Sequence, residues 1–227
     1  MAEAAAAPPA PLTKQEVINL LDTIPTFNIV DSDNRIVGTP DEEGEICLRF
    51  WSDIDEANSA LVLAQTLRGD STTLSLACTP LGTSFAYAEG WQDTPATMPL
   101  KLHASRAVVA GVAEELGAEP DAAAFPIFCC DELSNSRVKP FFLSRQDLSD
   151  TWVSAGRSAD ALPKDLTVVL LTKLVNMMLT AHGGIDWRTA MFIASHRSTD
   201  KAQEIQEREA AARIVEDDPE AEPPPLE

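Results

Sequence analysis

The sequence is short of positive charge, of histidine and of long apolar runs. Lys and Arg number 17 against 36 Asp and Glu, giving a formal net charge of −19. That balance argues against nucleic acid or an anionic membrane surface as the main partner, because both are polyanions. Part of the charge lies in a tail, where Glu216, Asp217, Asp218, Glu220, Glu222 and Glu227 bear on solubility rather than fold. The longest apolar runs, such as Leu166 to Leu171, fall far short of the roughly 20 residues that cross a bilayer. Any membrane association is therefore expected to be peripheral, not spanning. Met1 to Leu12 is rich in Ala and Pro but has neither a basic start nor a long apolar centre, so it is no intact signal or transit peptide. A disordered arm is expected there.

Catalytic signatures are missing too. The sequence holds no G-x-S-x-G elbow, phosphate-binding P-loop, dinucleotide fingerprint or H-E-x-x-H. His103, His182 and His196 are scattered, and none has a carboxylate or second histidine at metal-ligand helical spacing. Capping or surface polar roles are expected for them. Cys47, Cys78, Cys129 and Cys130 form no C-x-x-C and each sits in an apolar, strand-like run, the pattern of buried structural thiols. On a strand, the neighbours Cys129 and Cys130 would point to opposite faces. Asp53, Asp55 and Glu56 fall in a predicted first helical turn, where negative charge complements the helix dipole. Asp31-Ser-Asp33-Asn opens like a calcium loop but lacks the glycine and bidentate glutamate, and reads as an Asx-rich turn. The expectation is a protein that is not an enzyme and uses no cofactor and no metal.

What is present is a strand that runs straight into a capped helix, twice. Pro140 to Leu143 is apolar, and Ser144 with Asp147 three residues on resembles a capping box. Ile46 to Trp51 is apolar, and Ser52 with Asp55 repeats the arrangement. Around these two units the chain falls into matching orders. A capping box at Thr13 to Glu16 opens a helix, followed by strands at 24–30, 35–37 and 46–51, a helix at 53–67 and a strand at 72–78. A short helix at 80–88, a strand at 98–103 and a Ser105-capped helix ending at Gly117 complete the first series. In the second, Phe125-Pro-Ile-Phe128 answers Ile24-Pro-Thr-Phe27. Strand 138–143, helix 145–157, strand 165–171, short helix 174–180, strand 187–194 and helix 200–215 then follow in turn.

The expected fold is α/β (α+β), an internal duplication of two pseudo-symmetric β-β-β-α-β-α-β-α halves packed as one body. The predicted divisions are the arm 1–12, a first repeat 13–117, a hinge 118–124, a second repeat 125–215 and an acidic disordered tail 216–227. Paired bulky residues recur at related places: Phe50 with Trp51, Phe141 with Phe142, and Met177 with Met178. Consecutive side chains on a strand cannot share a face, so one of each aromatic pair lies in a second interface or lines a groove. An apolar groove on an acidic body suits extended or partly unfolded polypeptide, with Met as an adaptable contact.

The order of these segments resembles the Tic-twenty-two-like family of plastids and cyanobacteria. Phe27-Asn-Ile-Val-Asp31 stands at that family's V-F-x-I-V-D opening, Thr79 to Tyr87 at its V-S-L-x-x-V-Y segment and Phe125-Pro-Ile-Phe128 at its V-P-V-F. Pro140 to Leu148 matches P-F-F-F-x-x-x-x-L. The resemblance covers about residues 13 to 210, and departs at Leu76-Ala-Cys-Thr79, where the family has V-P-V-S, and in the turn from Cys129 to Asn135. It implies a pseudo-symmetric α/β fold with apolar pockets and no catalytic residues, in a plastid, either in the intermembrane space or associated with the thylakoid. By the same resemblance the binding groove would use Phe27, Phe50, Tyr87, Phe128, Phe141 and Met177. Its implied partners are preproteins and translocon subunits, with binding of unfolded polypeptides during envelope import. Acidity would favour basic transit peptides through an attraction that salt weakens. The alternative is a structural or assembly subunit docked on a photosynthetic membrane complex, a photosystem or antenna.

Overall fold

The computed structural model describes residues 9–41, 44–69, 73–93, 98–116 and 125–217. The predicted arm over 1–8, most of the tail, the hinge 118–124 and the Gly117 helix stop lie outside these residues.

Each stretch that couples an apolar run to a cap folds as that pattern dictates. Thr13 and Glu16 form a reciprocal capping box that opens α1 (Lys14–Leu21). Strands β1 (Pro25–Val30), β2 (Thr39–Pro40) and β3 (Ile46–Trp51) precede α2 (Ile54–Arg68), and β4 (Ser75–Pro80), α3 (Leu81–Ala88), β5 (Leu100–His103) and α4 (Arg106–Leu116) follow. The second half runs β6 (Pro126–Cys129), β7 (Lys139–Phe142), α5 (Arg145–Ser154), β8 (Thr167–Leu170), α6 (Leu171–Leu179), β9 (Ala190–Ile193) and α7 (His196–Asp217).

Two corrections to the sequence reading concern caps and strands. Ser144 caps α5 as expected, accepting the Asp147 N–H, but α2 is capped by Asp53 and not Ser52; its carboxylate accepts from the N–H groups of Asp55 and Glu56. The carboxylate reaches two orphan donors where a serine reaches one, so the cap sits one residue later. The second half also lacks a counterpart of β2. A 3-10 turn, Asp131–Leu133, takes its place, so the order there is β-β-α-β-α-β-α. In the first half the strand expected at 35–37 is a single bridge between Ile36 and Val30, and β2 forms instead inside the expected loop. Asp31 accepts from the N–H groups of Asp33 and Arg35 and Asn34 has φ 59°, which is the Asx-type turn read from the sequence.

The two sheets are built alike. In the first, β3 pairs antiparallel with β1 and parallel with β5, and β1 pairs antiparallel with β4. In the second, β7 pairs antiparallel with β6 and parallel with β9, and β6 pairs antiparallel with β8. Equivalent bonds close both outer ladders: Leu81 N–H donates to Ile24 O at 2.8 Å, and Leu171 N–H to Phe125 O at 2.8 Å.

The last helix of each series packs on the opposite sheet. Ile205 and Ala202 of α7 join Phe27, Ile29, Trp51 and Leu76 of the first sheet, while Val112 of α4 joins Phe128, Phe142, Leu148 and Trp152 over the second. A third cluster combines Val17, Leu21, Leu81 and Phe85 with Ile127, Phe141, Leu174 and Met178, so both halves share one central core. Each sheet is thus covered by the other half's final helix. Strand alternation explains the paired residues: Cys129 and Phe141 face the central core, and their neighbours Cys130 and Phe142 face α4 and α5. All four thiols are unpaired, and burial pushes those of Cys78, Cys129 and Cys130 up, that of Cys78 to about 11, as inert structural cysteines require.

Candidate functional site

Beside α6 a cleft of about 480 Å³ opens against the second sheet. Its apolar wall is Phe141, Val169, Leu174, Met177, Ile185 and Trp187. The strand β7 supplies Phe141, whose ring stacks on Trp187 with centroids 6.4 Å apart and on Phe192 at 5.3 Å. Trp187 is held by a 3-10 turn that Asp186 caps, and the Ala181 and Gly183 backbones, both at positive φ, turn the chain out of α6 toward it. The indole Nε1–H of Trp187 is buried and has no acceptor among the described residues. Lys139, Lys173 and His182 stand on the rim. Lys139 lies 3.5 Å from Asp131, whereas exposed Lys173 has no ion-pair partner among the described residues. The rim of this cleft is thus basic on a protein of net charge −19.

The opening beside α6 is explained by comparing α3 with α6. The helix α1 lies so close on α3 that a Cβ on Gly82 would stand 2.1 Å from Ile18 O. Counting from the equivalent Leu81 and Leu171, buried Gly82 and Ala86 correspond to exposed Thr172 and Asn176. Among the described residues no second helix covers that face of α6.

The six residues expected to form a groove are not brought together. Phe27 and Phe50 are 0% exposed and Phe128 and Phe141 are 1% exposed. Phe27 and Phe128 belong to the packing beneath α2/α7 and α4/α5, and Phe50 is buried on the face of β3 opposite Trp51. Those three are core residues that do not line this cleft, because both sheets are covered. Tyr87 is half-buried on α3 and stands apart from the cleft. Only Phe141 and Met177 line it. Trp187, Ile185 and Val169 were missed: they sit at a turn and an edge strand, and nothing local separates them from core residues.

A second, smaller cleft of about 150 Å³ lies where the halves meet, and the N-termini of α2, α4, α5 and α7 open onto it. A donor at each of three of them is already used. Asp53 Oδ1 accepts the Asp55 N–H at 2.8 Å, Ser144 Oγ the Asp147 N–H at 3.0 Å and Ser195 Oγ the Ser198 N–H at 3.2 Å. Desolvation raises the pKa of Asp147. With Asp53, Asp55 and Asp147 in its wall this cleft does not invite an anion.

Of the histidines, His103 departs from the expected surface role. It is 8% exposed at the end of β5, beside Trp51 at 6.2 Å between ring centroids, and its Nε2 has no hydrogen-bond partner among the described residues. Burial, then the charges of Arg49, Arg106 and Lys101, pull its pKa down to about 4. On the surface of α2, Val62, Leu63 and Leu67 are 62%, 57% and 66% exposed, and Leu63 and Leu67, four residues apart, share one helix face. No group of metal-binding side chains occurs, and no helix is long and apolar enough to cross a membrane, among the described residues.

No family model and no curated protein matches the sequence. Solved structures do match the fold, and they define it as that of the Tic22 type. The structure of Anabaena Tic22, described as a protein-transport protein, aligns with TM-score 0.61 at 14% identity, covering 85% of this chain and 97% of that one. Tic22 from Plasmodium falciparum aligns with TM-score 0.61 at 15% identity, covering 85% and 98%. The mixed α/β architecture expected from the resemblance is therefore observed.

Proposed function

We propose that this is a non-enzymatic plastid protein that binds preproteins or other unfolded polypeptides during envelope import. The observation that carries the reading is the cleft of Phe141, Met177 and Trp187, an apolar wall left open beside α6 where α3 has α1 upon it. A site of this size admits bulky apolar side chains, and the thioether of Met177 adapts to several of them. The Tic22 fold supports a transport role through the description of the Anabaena protein. The basic rim changes the expected electrostatics: basic transit peptides would gain from the acidic body as a whole, not from this cleft, and segments carrying a carboxylate suit it better.

We also infer that the two halves descend from a duplicated unit. The like pairing of both sheets and the exchange of α4 and α7 support this.

A second reading rests on a different observation. The exposed Val62, Leu63 and Leu67 of α2 would dock the protein as a structural or assembly subunit on a photosynthetic membrane complex. Cross-linking in intact plastids followed by native co-purification separates the two. Translocon components and many substoichiometric preproteins support the import reading, and a single stoichiometric photosystem or antenna partner replaces it with the second.

A further inference from the structure

The backbone beside the cleft indicates how a polypeptide would be held. In the β6–β8 ladder, Ile127 pairs with Val169 and Phe128 with Val168, and Leu171 N–H bonds to Phe125 O. Antiparallel ladders bond alternate residues. Thr167 and Val169 therefore spend their backbone groups on β6, and those of Val168 and Leu170 turn outward. The outward N–H and C=O of Val168 bond to no strand, helix or side chain among the described residues.

The equivalent edge in the first half is partly engaged. The same alternation turns Leu76, Cys78 and Pro80 of β4, and Leu74 just before it, outward. The carbonyl of Leu76 accepts from Arg208 of α7 at 2.7 Å, and that of Leu74 from Gln65 of α2 at 3.1 Å. Pro80 has no N–H to offer, which is a common protection of an edge, whereas Leu170 stands at the matching place in β8 and keeps its own. The first edge is thus partly engaged, by two side chains and a proline, and the second carries none of these devices among the described residues.

Resting on the polypeptide-binding reading above, we propose that β8 is a strand-addition site. An extended segment of a partner chain joins the second sheet at Val168, and its alternate side chains enter the cleft between Val169 and Met177. Two features of the site specify the occupant. Free strand groups require an extended backbone, since a helix has spent its own, and the main-chain bonds are indifferent to sequence while the pocket selects apolar side chains. The cations on the rim, Lys139 and Lys173, favour a segment with an acidic residue flanking the apolar ones. The acidic tail of this chain has the charge but not the backbone, because Pro219 and Pro223 to Pro225 cannot supply a run of strand donors.

The test uses an acetylated peptide, Ser-Val-Thr-Leu-Thr-Val-Glu, and two copies N-methylated on alternate sets of amides, titrated into the full-length protein. Binding of the parent with protection of the Val168 amide from hydrogen exchange, and loss of at least ~10-fold in affinity for only one methylated copy, is the expected result. Equal affinity of all three peptides overturns strand addition and leaves cleft binding standing. No binding of any of them overturns both. Concentration-dependent dimerisation of the protein that protects Val168 without peptide would overturn the proposal by assigning the edge to a second copy. As a check from the protein side, Val168→Pro removes the outward N–H and is expected to weaken the parent peptide by a similar factor. Lys173→Glu, which leaves the backbone untouched, is expected to weaken it less, and more so at low salt than at high.

Discussion

Arg197 and Asp55 form a two-pronged ion pair across the junction of the halves, with Nη1 to Oδ2 at 2.6 Å and Nη2 to Oδ1 at 2.7 Å. The pair ties the first turn of α7 to the first turn of α2. It marks the exchange of final helices but does not account for its strength, because the side chains are 74% and 59% exposed. Arg197→Ala is expected to cost no more than about 1 kcal/mol in urea unfolding. Ile205→Ala, at a position 1% exposed against the first sheet, is expected to cost about 2–5 kcal/mol. The reverse order would mean that charge, not burial, holds α7 in place.

The correction of the groove residues has its own consequence. Phe27→Ala and Phe128→Ala open cavities in separate cores, and each is expected to lower stability by about 3–5 kcal/mol. Met177→Glu changes a half-buried side chain at the cleft and is expected to move the urea midpoint little, within about 1 kcal/mol. Equilibrium unfolding of the three variants checks this directly.

His103 gives the protein an acid-sensitive point. Its folded pKa of about 4 lies below the ordinary histidine value of 6.5, so the unfolded chain takes up a proton that the folded chain refuses. Its neutral form is compatible with folding above pH 6.5, and stability falls as the pH drops from 6.5 towards 4, by about 3 kcal/mol at most. In His103→Asn the decline in urea midpoint across this window is expected to be shallower. An unchanged slope would assign the acid sensitivity elsewhere.

How much of this was legible in the sequence depends on which interaction fixes each feature. Local signals carried the secondary structure: the capping box at Thr13, the cap at Ser144 and the Asx turn at Asp31 depend on neighbours within four residues. The likeness of the halves was visible because Ile24-Pro and Phe125-Pro start the same ladder. The exchange of α4 and α7 was not, since an amphipathic helix does not state which sheet it will cover. For the same reason Phe27 and Phe128 could not be told from cleft residues, and Trp187 could not be told from core. Whether Phe141 meets a helix or an opening depends on which face of α6 is left uncovered, here that of Thr172 and Asn176, a choice made in tertiary packing.

The exposed face of α2 offers a further check. Replacing Val62, Leu63 and Leu67 together by Ser, Gln and Glu removes a patch that makes no buried contact of consequence. Stability is expected to stay within about 1 kcal/mol of the parent and binding of unfolded chains to persist. If the same variant instead lost a stoichiometric membrane-complex partner in plastid extracts, α2 would be the docking surface of the second reading.

The most direct test of the central claim is the affinity of a labelled, reduced and carboxymethylated α-lactalbumin chain, measured by fluorescence anisotropy. This client is acidic, so attraction to an acidic body cannot stand in for the cleft. The parent protein is expected to bind it, and Met177→Glu to bind it at least ~10-fold more weakly with its fold intact. Equal affinities for the two proteins would contradict the account, because unfolded chains would then be held somewhere other than the cleft of Phe141, Met177 and Trp187.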